Sequence, residues 1–162
     1  MLILNTGGTF NKRYNLLTGM MEVPYDNRAV ESILNTFTYD IEMAGVIYKD
    51  SLDMTMDDRK MIASIILAST EKKFVVVHGT DTMHLSAAFM NELLEDQVVV
   101  FTGAMVPYEI DPVEATANLA MAIGYAQSQD KGGAYVCMHG SAAPYDQLLK
   151  NKQTGKFEFG ER

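Results

Sequence analysis

Apolar residues in this chain come in short unbroken runs, each closed by a polar turn rich in small residues. Residues 74–77, Phe-Val-Val-Val, are the clearest case. Four successive β-branched or aromatic residues are what a parallel strand covered on both faces requires. The run stops at His78-Gly79-Thr80-Asp81-Thr82-Met83, and apolar positions then recur at helical spacing over 83–94. The same order is found at 2–5 before Thr6-Gly7-Gly8-Thr9, at 98–101 before Thr102-Gly103-Ala104-Met105, and at 134–138 before His139-Gly140-Ser141. Short strands are predicted at 39–43 and 46–48, the latter leading into Asp50-Ser51-Leu52-Asp53, and a short helix at 28–34. A second helix starts at Thr55 with Asp57 and Asp58 and carries Met61, Ile62, Ile65 and Ile66 at helical spacing up to Leu67. Asp111-Pro112-Val113-Glu114 combines an acidic cap, proline at the first helical position and Glu three residues after the cap, predicting a helix to about Gln127. Residues 11–26 have little periodicity, and a connection of that length reads as a functional lid or a disordered segment. The strand at 134–138 is the last one expected; beyond it the chain turns polar, with Lys150, Lys152 and Lys156.

Strands alternating with helices through short turns predict an α/β fold: a doubly wound, flavodoxin-like or Rossmann-like, mainly parallel sheet with helices on both faces, in three αβα layers. The length of 162 residues and the 48% hydrophobic and 21% charged content fit one domain over 1–162. In such sheets ligands bind at the carboxyl ends of strands, where every polar turn above falls.

Charge and composition narrow the partners. A formal net charge of -8 with no basic stripe argues against nucleic acid. The single Cys137, inside an apolar run, forms no internal disulfide and reads as a buried, inert thiol. The apolar start Met1-Leu2-Ile3-Leu4 meets Asn5 at once and lacks the basic start and length of a signal peptide, and no run approaches a membrane span. A cytoplasmic protein is expected. Neither Gly-x-Gly-x-x-Gly after a strand nor Gly-x-x-x-x-Gly-Lys-Ser/Thr occurs, so no nucleotide cofactor is expected. His78, His84 and His139 lack the Cys or acidic partners of a metal site and read as structural; the 12 Met are spread over core faces, where they fill space.

The chemistry left at the strand ends belongs to Thr6 and Thr9, Ser51 and Asp53, Thr80 and Asp81. Asp81 or Thr82 also suits a simple helix cap. A hydroxyl needs a base to attack a carbonyl, and a desolvated lysine releases its proton more readily, so Lys150 or Lys152 is the candidate base if the tail folds back toward Thr80. N–H groups around Gly8 and Gly79 are candidates for stabilising an oxyanion.

Thr6-Gly7-Gly8-Thr9-Phe10, His78-Gly79-Thr80-Asp81-Thr82-Met83 and Thr102-Gly103-Ala104-Met105-Val106-Pro107 together resemble, in order and spacing, the bacterial-type L-asparaginase family over essentially the whole chain, which corresponds to the larger N-terminal domain of those two-domain enzymes. The resemblance implies hydrolysis of the side-chain amide of L-asparagine to L-aspartate and ammonia without a cofactor. It makes Thr9 the nucleophile, and Thr80, Asp81 and Lys150 a second catalytic triad. Ser51 would hold the substrate α-carboxylate and Asp81 its α-amino group. Residues 11–26 would be a lid with Tyr14 or Tyr25 as its catalytic tyrosine. Leu52 stands where the family usually has glutamine, which bears on substrate choice. The chain ends about where the family's linker to its C-terminal domain begins, and in those enzymes a neighbouring subunit's C-terminal domain completes the site. A homodimer or larger assembly is therefore expected. Two other readings follow: a non-catalytic amino-acid-binding module, and an amidase subunit supplying ammonia to a partner, as some relatives do in amide transfer onto aminoacyl-tRNA.

Overall fold

The unbroken apolar runs do become the centre of a sheet. The computed structural model of the protein describes residues 1–160. In chain order its main elements are strand β1 (Leu2–Gly7), a small hairpin of β2 (Arg13–Asn15) and β3 (Met20–Glu22), helix α1 (Arg28–Leu34), β4 (Glu42–Lys49), α2 (Met56–Ala68), β5 (Lys73–Val77), α3 (Met83–Asn91), β6 (Val98–Thr102), α4 (Pro112–Ser128), β7 (Gly133–Met138), β8 (Ser141–Pro144), β9 (Leu148–Lys150) and β10 (Phe157–Phe159). The main sheet runs β4-β1-β5-β6-β7-β8, parallel throughout except for the antiparallel β8. The five parallel strands follow the flavodoxin-like order, so the strand order reverses between β1 and β5.

Alternate residues of each central strand feed opposite layers. Leu4, Phe74, Val76, Val99 and Phe101 pack against α2 and α3 through Ile62, Ile66, Met83 and Met90. Ile3, Val75, Val77, Val98 and Val100 pack against α1 and α4 through Val30, Ile33, Leu119 and Ile123. Strands buried on both faces have no polar face to show, which is why their sequence does not alternate. The α2 start is a reciprocal capping box: Thr55 accepts from the Asp58 N–H while the Asp58 carboxylate accepts from the Thr55 N–H.

Several expectations are corrected. The two short strands at 39–43 and 46–48 are one continuous strand, β4, that passes straight through Gly45. That glycine is there for close approach: a Cβ on it would lie 1.9 Å from the Tyr48 hydroxyl oxygen and 2.5 Å from Asn27 Oδ1. The aperiodic segment 11–26 contains an antiparallel ribbon pairing Tyr14 with Met21, its tip turned by Gly19 at φ 70. Helix α3 stops at Asn91, short of Leu94, and Asn91 Oδ1 accepts the Ala134 N–H. Residues 134–138 are not the last strand. His139 and Gly140 both have positive φ, as a two-residue type I′ hairpin requires, and return the chain as β8; β9 and β10 then form a separate antiparallel pair. No helix among the described residues is long and apolar enough to cross a membrane.

Candidate active site

The reversal between β1 and β5 sets the turns after those two strands side by side. Their backbones touch: a Cβ on Gly8 would lie 2.5 Å from Gly79 Cα. Gly79 in turn has no room for one, since it would meet Ser51 Cβ at 2.5 Å. The turn after β6 closes in from the other side, with a Cβ on Gly103 falling 2.4 Å from the His78 carbonyl oxygen. Thr9, Ser51, Thr80 and Met105 are thus each carried by, or one or two residues from, a backbone in contact with its neighbour.

Buried polar side chains hold these turns. Asn5 and Asn11 exchange amide hydrogen bonds at 3.1 and 2.9 Å, and Asn11 also donates to the Gly7 carbonyl at 2.7 Å, bracketing the turn that carries Thr9. Thr6 is spent on structure, donating to the Val77 carbonyl at 2.8 Å. The Asp81 N–H donates to Ser51 Oγ at 3.2 Å and the Thr82 hydroxyl donates to the Ser51 carbonyl at 2.7 Å, so the β4 and β5 turns are joined as well. Lys12 pairs with Asp50 at 2.5 Å, bridging the β1 and β4 turns. Burial would raise the Asp50 carboxyl, but the Lys12 hydrogen bond and the Leu52 N–H outweigh it and hold the group below the usual carboxylate range.

Lys150 arrives from β9 at the far end of the chain. Its Nζ donates to Thr80 Oγ1 at 2.9 Å and to Asp81 Oδ1 at 2.6 Å. Its side chain is only 14% exposed, whereas Lys152 points to solvent, so of the two lysines it is Lys150 that meets Thr80. The Thr80 hydroxyl also donates to the thioether of Met105 at 3.3 Å. Thr9 is half-buried, and no hydrogen bond engages its hydroxyl among the described residues. Gly8 does not offer its own N–H to an oxyanion, because that group is bonded to the Lys49 carbonyl at 2.8 Å. The Gly79 N–H has no such partner among the described residues, which leaves it as the donor candidate of the two.

The remaining candidates sit farther out. Asp53 is exposed, and Leu52 is 73% exposed on the turn beside buried Ser51. Tyr14 and Tyr25 line the same groove of about 540 Å³, and Tyr25, 87% exposed, leans on Tyr48 with ring centroids 5.6 Å apart. Neither hydroxyl bonds to Thr9 or Thr80 among the described residues.

His78 and His139 are bonded into the scaffold, whereas His84 is exposed at the start of α3. His78 lies beneath the β5 turn with Nδ1 2.7 Å from the Gly79 carbonyl and Nε2 2.8 Å from Ser86 Oγ. Complete burial pushes it down to about 4 despite the Gly79 carbonyl, so the ring is neutral at pH 7. His139 lies against Glu114, Nε2 to Oε1 2.9 Å. Glu114, expected to close a capping box, instead accepts the N–H groups of Met105 and Val106 at 2.9 and 3.0 Å, while Asp111 alone caps α4 through the Val113 N–H. Met105, Glu114 and His139 are the polar or sulfur-bearing neighbours of the site that sequence reasoning missed as such; the positive-φ demand of a His-Gly hairpin was the available signal for the last. No group of three His, Cys, Asp or Glu among the described residues is placed to hold a metal ion.

Threonine hydroxyls, a paired lysine and a carboxylate stand at the switch point of a flavodoxin-like α/β sheet. The chain belongs to the asparaginase family: the family model described as Asparaginase, N-terminal, matches residues 1–158. Among curated proteins it is 32% identical over 139 residues to the D subunit of glutamyl-tRNA(Gln) amidotransferase from Nanoarchaeum equitans, covering 83% of this chain and 35% of that protein. The corresponding protein of Archaeoglobus fulgidus is 30% identical over 146 residues, covering 87% of this chain and 35% of that protein. The chain therefore spans about a third of the length of these relatives. Among solved structures, the thermostable L-asparaginase of Thermococcus kodakarensis superposes with a TM-score of 0.81 at 20% identity, over 98% of this chain and 50% of that one. L-asparaginase I of Vibrio cholerae gives 0.76 at 24% identity, again over 98% and 50%. At these identities the likeness is one of fold.

Proposed function

We propose that this domain hydrolyses the side-chain amide of L-asparagine, with Thr9 as nucleophile and Thr80, Asp81 and Lys150 as the group that manages its protons. The observation that carries this reading is the position of Lys150 Nζ, 2.9 Å from Thr80 Oγ1 and 2.6 Å from Asp81 Oδ1. A hydroxyl is a weak nucleophile until a base takes its proton. Transfer of a proton from Lys150 to Asp81 within their hydrogen bond leaves a neutral amine that can accept one through Thr80. Thr9 Oγ then adds to the amide carbon, and the Gly79 N–H stabilises the oxyanion. The accepted proton goes to the departing nitrogen, which leaves as ammonia from a Thr9 ester. Water cleaves the ester by the same route, releasing the acid and restoring the hydroxyl. Ser51 Oγ accepts from the Asp81 N–H and so keeps its own proton for the substrate α-carboxylate, while Asp81 faces the α-amino group. Leu52, exposed on the turn beside Ser51, brings no polar group to the substrate.

A second reading is favoured by the relatives: an amidase subunit whose ammonia passes to a partner that transfers it onto aminoacyl-tRNA. With a net charge of -8, such a partner rather than this chain would hold the RNA. We expect the active assembly to be a homodimer or larger.

The deciding experiment is ammonia release from L-asparagine and L-glutamine by the chain, beside Thr9→Ala and Thr80→Ala. Each substitution is expected to lower turnover by at least about 100-fold, the scale of losing a nucleophile or its proton relay. Release unchanged in Thr9→Ala removes the nucleophile assignment. No release from the unmutated chain, restored by a partner, selects the second reading; aspartate binding with no release under either condition makes it a binding module.

A further inference from the structure

The contacts around Thr80 close into a ring that the reaction outlined above does not use. The Thr80 hydroxyl donates to the Met105 sulfur at 3.3 Å. The backbone N–H of Met105 and that of Val106 donate to the two oxygens of Glu114 at 2.9 and 3.0 Å. Glu114 Oε1 lies 2.9 Å from His139 Nε2. On the far side of the imidazole, Nδ1 accepts the Phe157 N–H at 3.1 Å. Phe157 stands opposite Lys150 in the β9–β10 ladder, and Lys150 Nζ returns to Thr80 Oγ1 at 2.9 Å.

The two partners fix the state of the ring. A backbone N–H cannot accept, so Nδ1 carries no proton and the ring proton is on Nε2, donated to Glu114. The backbone is committed as well. His139 takes φ 53, its N–H donates to Asn118 Oδ1 at 3.0 Å, and Asn118 in turn donates to the Gly103 carbonyl at 2.9 Å. Non-glycine residues hold a left-handed φ only where their surroundings impose it. The ring edge also rests on Phe157, centroids 5.9 Å apart.

We propose that His139 is a positioning residue that sets the approach of the Lys150 amine to the Thr80 hydroxyl, through Phe157 on one arm and Glu114 and Met105 on the other. It touches neither reacting group. The β9–β10 pair is short, three residues a side, and is not hydrogen-bonded into the main sheet among the described residues; the buried Leu148 and Phe157 side chains pack it against the core beside Met138, and the Phe157 N–H to His139 bond fixes the strand opposite Lys150 to the end of β7. The inference rests on the proposed role of Lys150 in amide hydrolysis, and its test has a readout that does not need turnover.

The test uses His139→Ala and His139→Asn in the full chain, with ammonia release and the 1H–15N signal of the Lys150 ammonium, assigned through Lys150→Arg. Asparagine tolerates a left-handed φ, and its side-chain oxygen stands near the place of Nδ1. His139→Ala is expected to lower kcat roughly 10–100-fold with KM within about twofold, the scale of a misplacement near 1 Å at a reacting group, and to shift or broaden the Lys150 signal. His139→Asn is expected to restore that signal and most of kcat. A wild-type Lys150 signal and kcat in His139→Ala would overturn the proposal, as would a loss of kcat that only tracks the unfolded fraction while the signal of the folded protein stays put. Absence of release from the unmutated chain overturns the proposed function instead, and the Lys150 signal alone then decides this inference.

Discussion

Replacing Gly8 by alanine tests whether the site depends on backbone contact between its turns. Gly8 has φ 72 and ψ -175, a region in which side-chain-bearing residues are essentially absent. Holding alanine there costs about 1–3 kcal/mol. The new methyl would also lie 2.5 Å from both Gly79 Cα and N and 3.1 Å from the His78 carbonyl carbon, all backbone atoms that cannot rotate away. Forced overpacking of this kind costs about 1–3 kcal/mol more. The sum, about 2–6 kcal/mol, is a large part of the 5–15 kcal/mol that typically stabilises a domain. With a urea m-value of about 2 kcal/mol/M, a loss of about 4 kcal/mol lowers the unfolding midpoint by about 2 M. Gly124→Ala is the matching control. Gly124 lies on the exposed face of α4 with nothing among the described residues within 4 Å of where its methyl would stand, and alanine there should gain about 0.5–1 kcal/mol. Ammonia release by Gly8→Ala should fall further than the folded fraction does, because the methyl pushes the Thr9 turn from the Thr80 turn. A Gly8→Ala midpoint within a few tenths of a molar of the unmutated protein, or an equal drop in both variants, would refute the argument that the two turns are in enforced contact.

Two further outcomes follow from groups buried near the site. His78 is pushed down to about 4 from an ordinary value near 6.5, so the unfolded chain binds a proton that the folded one refuses. Its contribution is complete above about pH 6.5 and is lost as the pH falls toward 4, to the extent of about 3 kcal/mol; urea midpoints measured across that window should decline, and His78→Gln should flatten the decline, whereas an unchanged slope would dismiss the assignment. The Cys137 thiol is raised to about 12 by burial, which leaves almost no thiolate at neutral pH. Iodoacetamide should therefore label it only along the urea unfolding curve, and prompt labelling of the native protein would contradict its place beneath α4.

What the sequence revealed depended on whether one local cause set the structure. Residues 74–77 and 98–101 are buried from both sides, so their apolar character alone defines a strand. Thr55 with Asp58, and Asp111 with Pro112, carry their own helix-start chemistry within four residues. Gly45 misled because a glycine in a strand signals either a break or a close neighbour, and the neighbours, Asn27 and Tyr48, include one from a different element. Glu114 misled in the same way: its spacing suits a capping box, but the Met105 and Val106 N–H groups compete for the carboxylate and win. The hairpin at β2–β3 and the pair β9–β10 have three-residue strands, too short for a period to show. In the site, the turns after β1, β4 and β5 were legible as polar strand ends. The meeting of Lys150 with Asp81, 69 residues apart, was signalled by family resemblance and not by any local pattern.

The strand order and the glycines act together in building the site. Reversal between β1 and β5 brings the two Gly-Thr turns to adjacent positions, but adjacency alone leaves the normal spacing of neighbouring strands, about 4.8 Å, with side chains between the loops. Glycine at 8, 79 and 103 removes those side chains, so the turn backbones come into contact and Thr9 and Thr80 each follow directly on a backbone held against its neighbour. The arrangement fixes the backbone of each threonine independently of its side chain. A threonine hydroxyl can then be bonded to a lysine, as at Thr80, or stand without a hydrogen bond among the described residues, as at Thr9, without either choice disturbing the other. In the proposed reaction that division gives Thr9 the attack and Thr80 the proton.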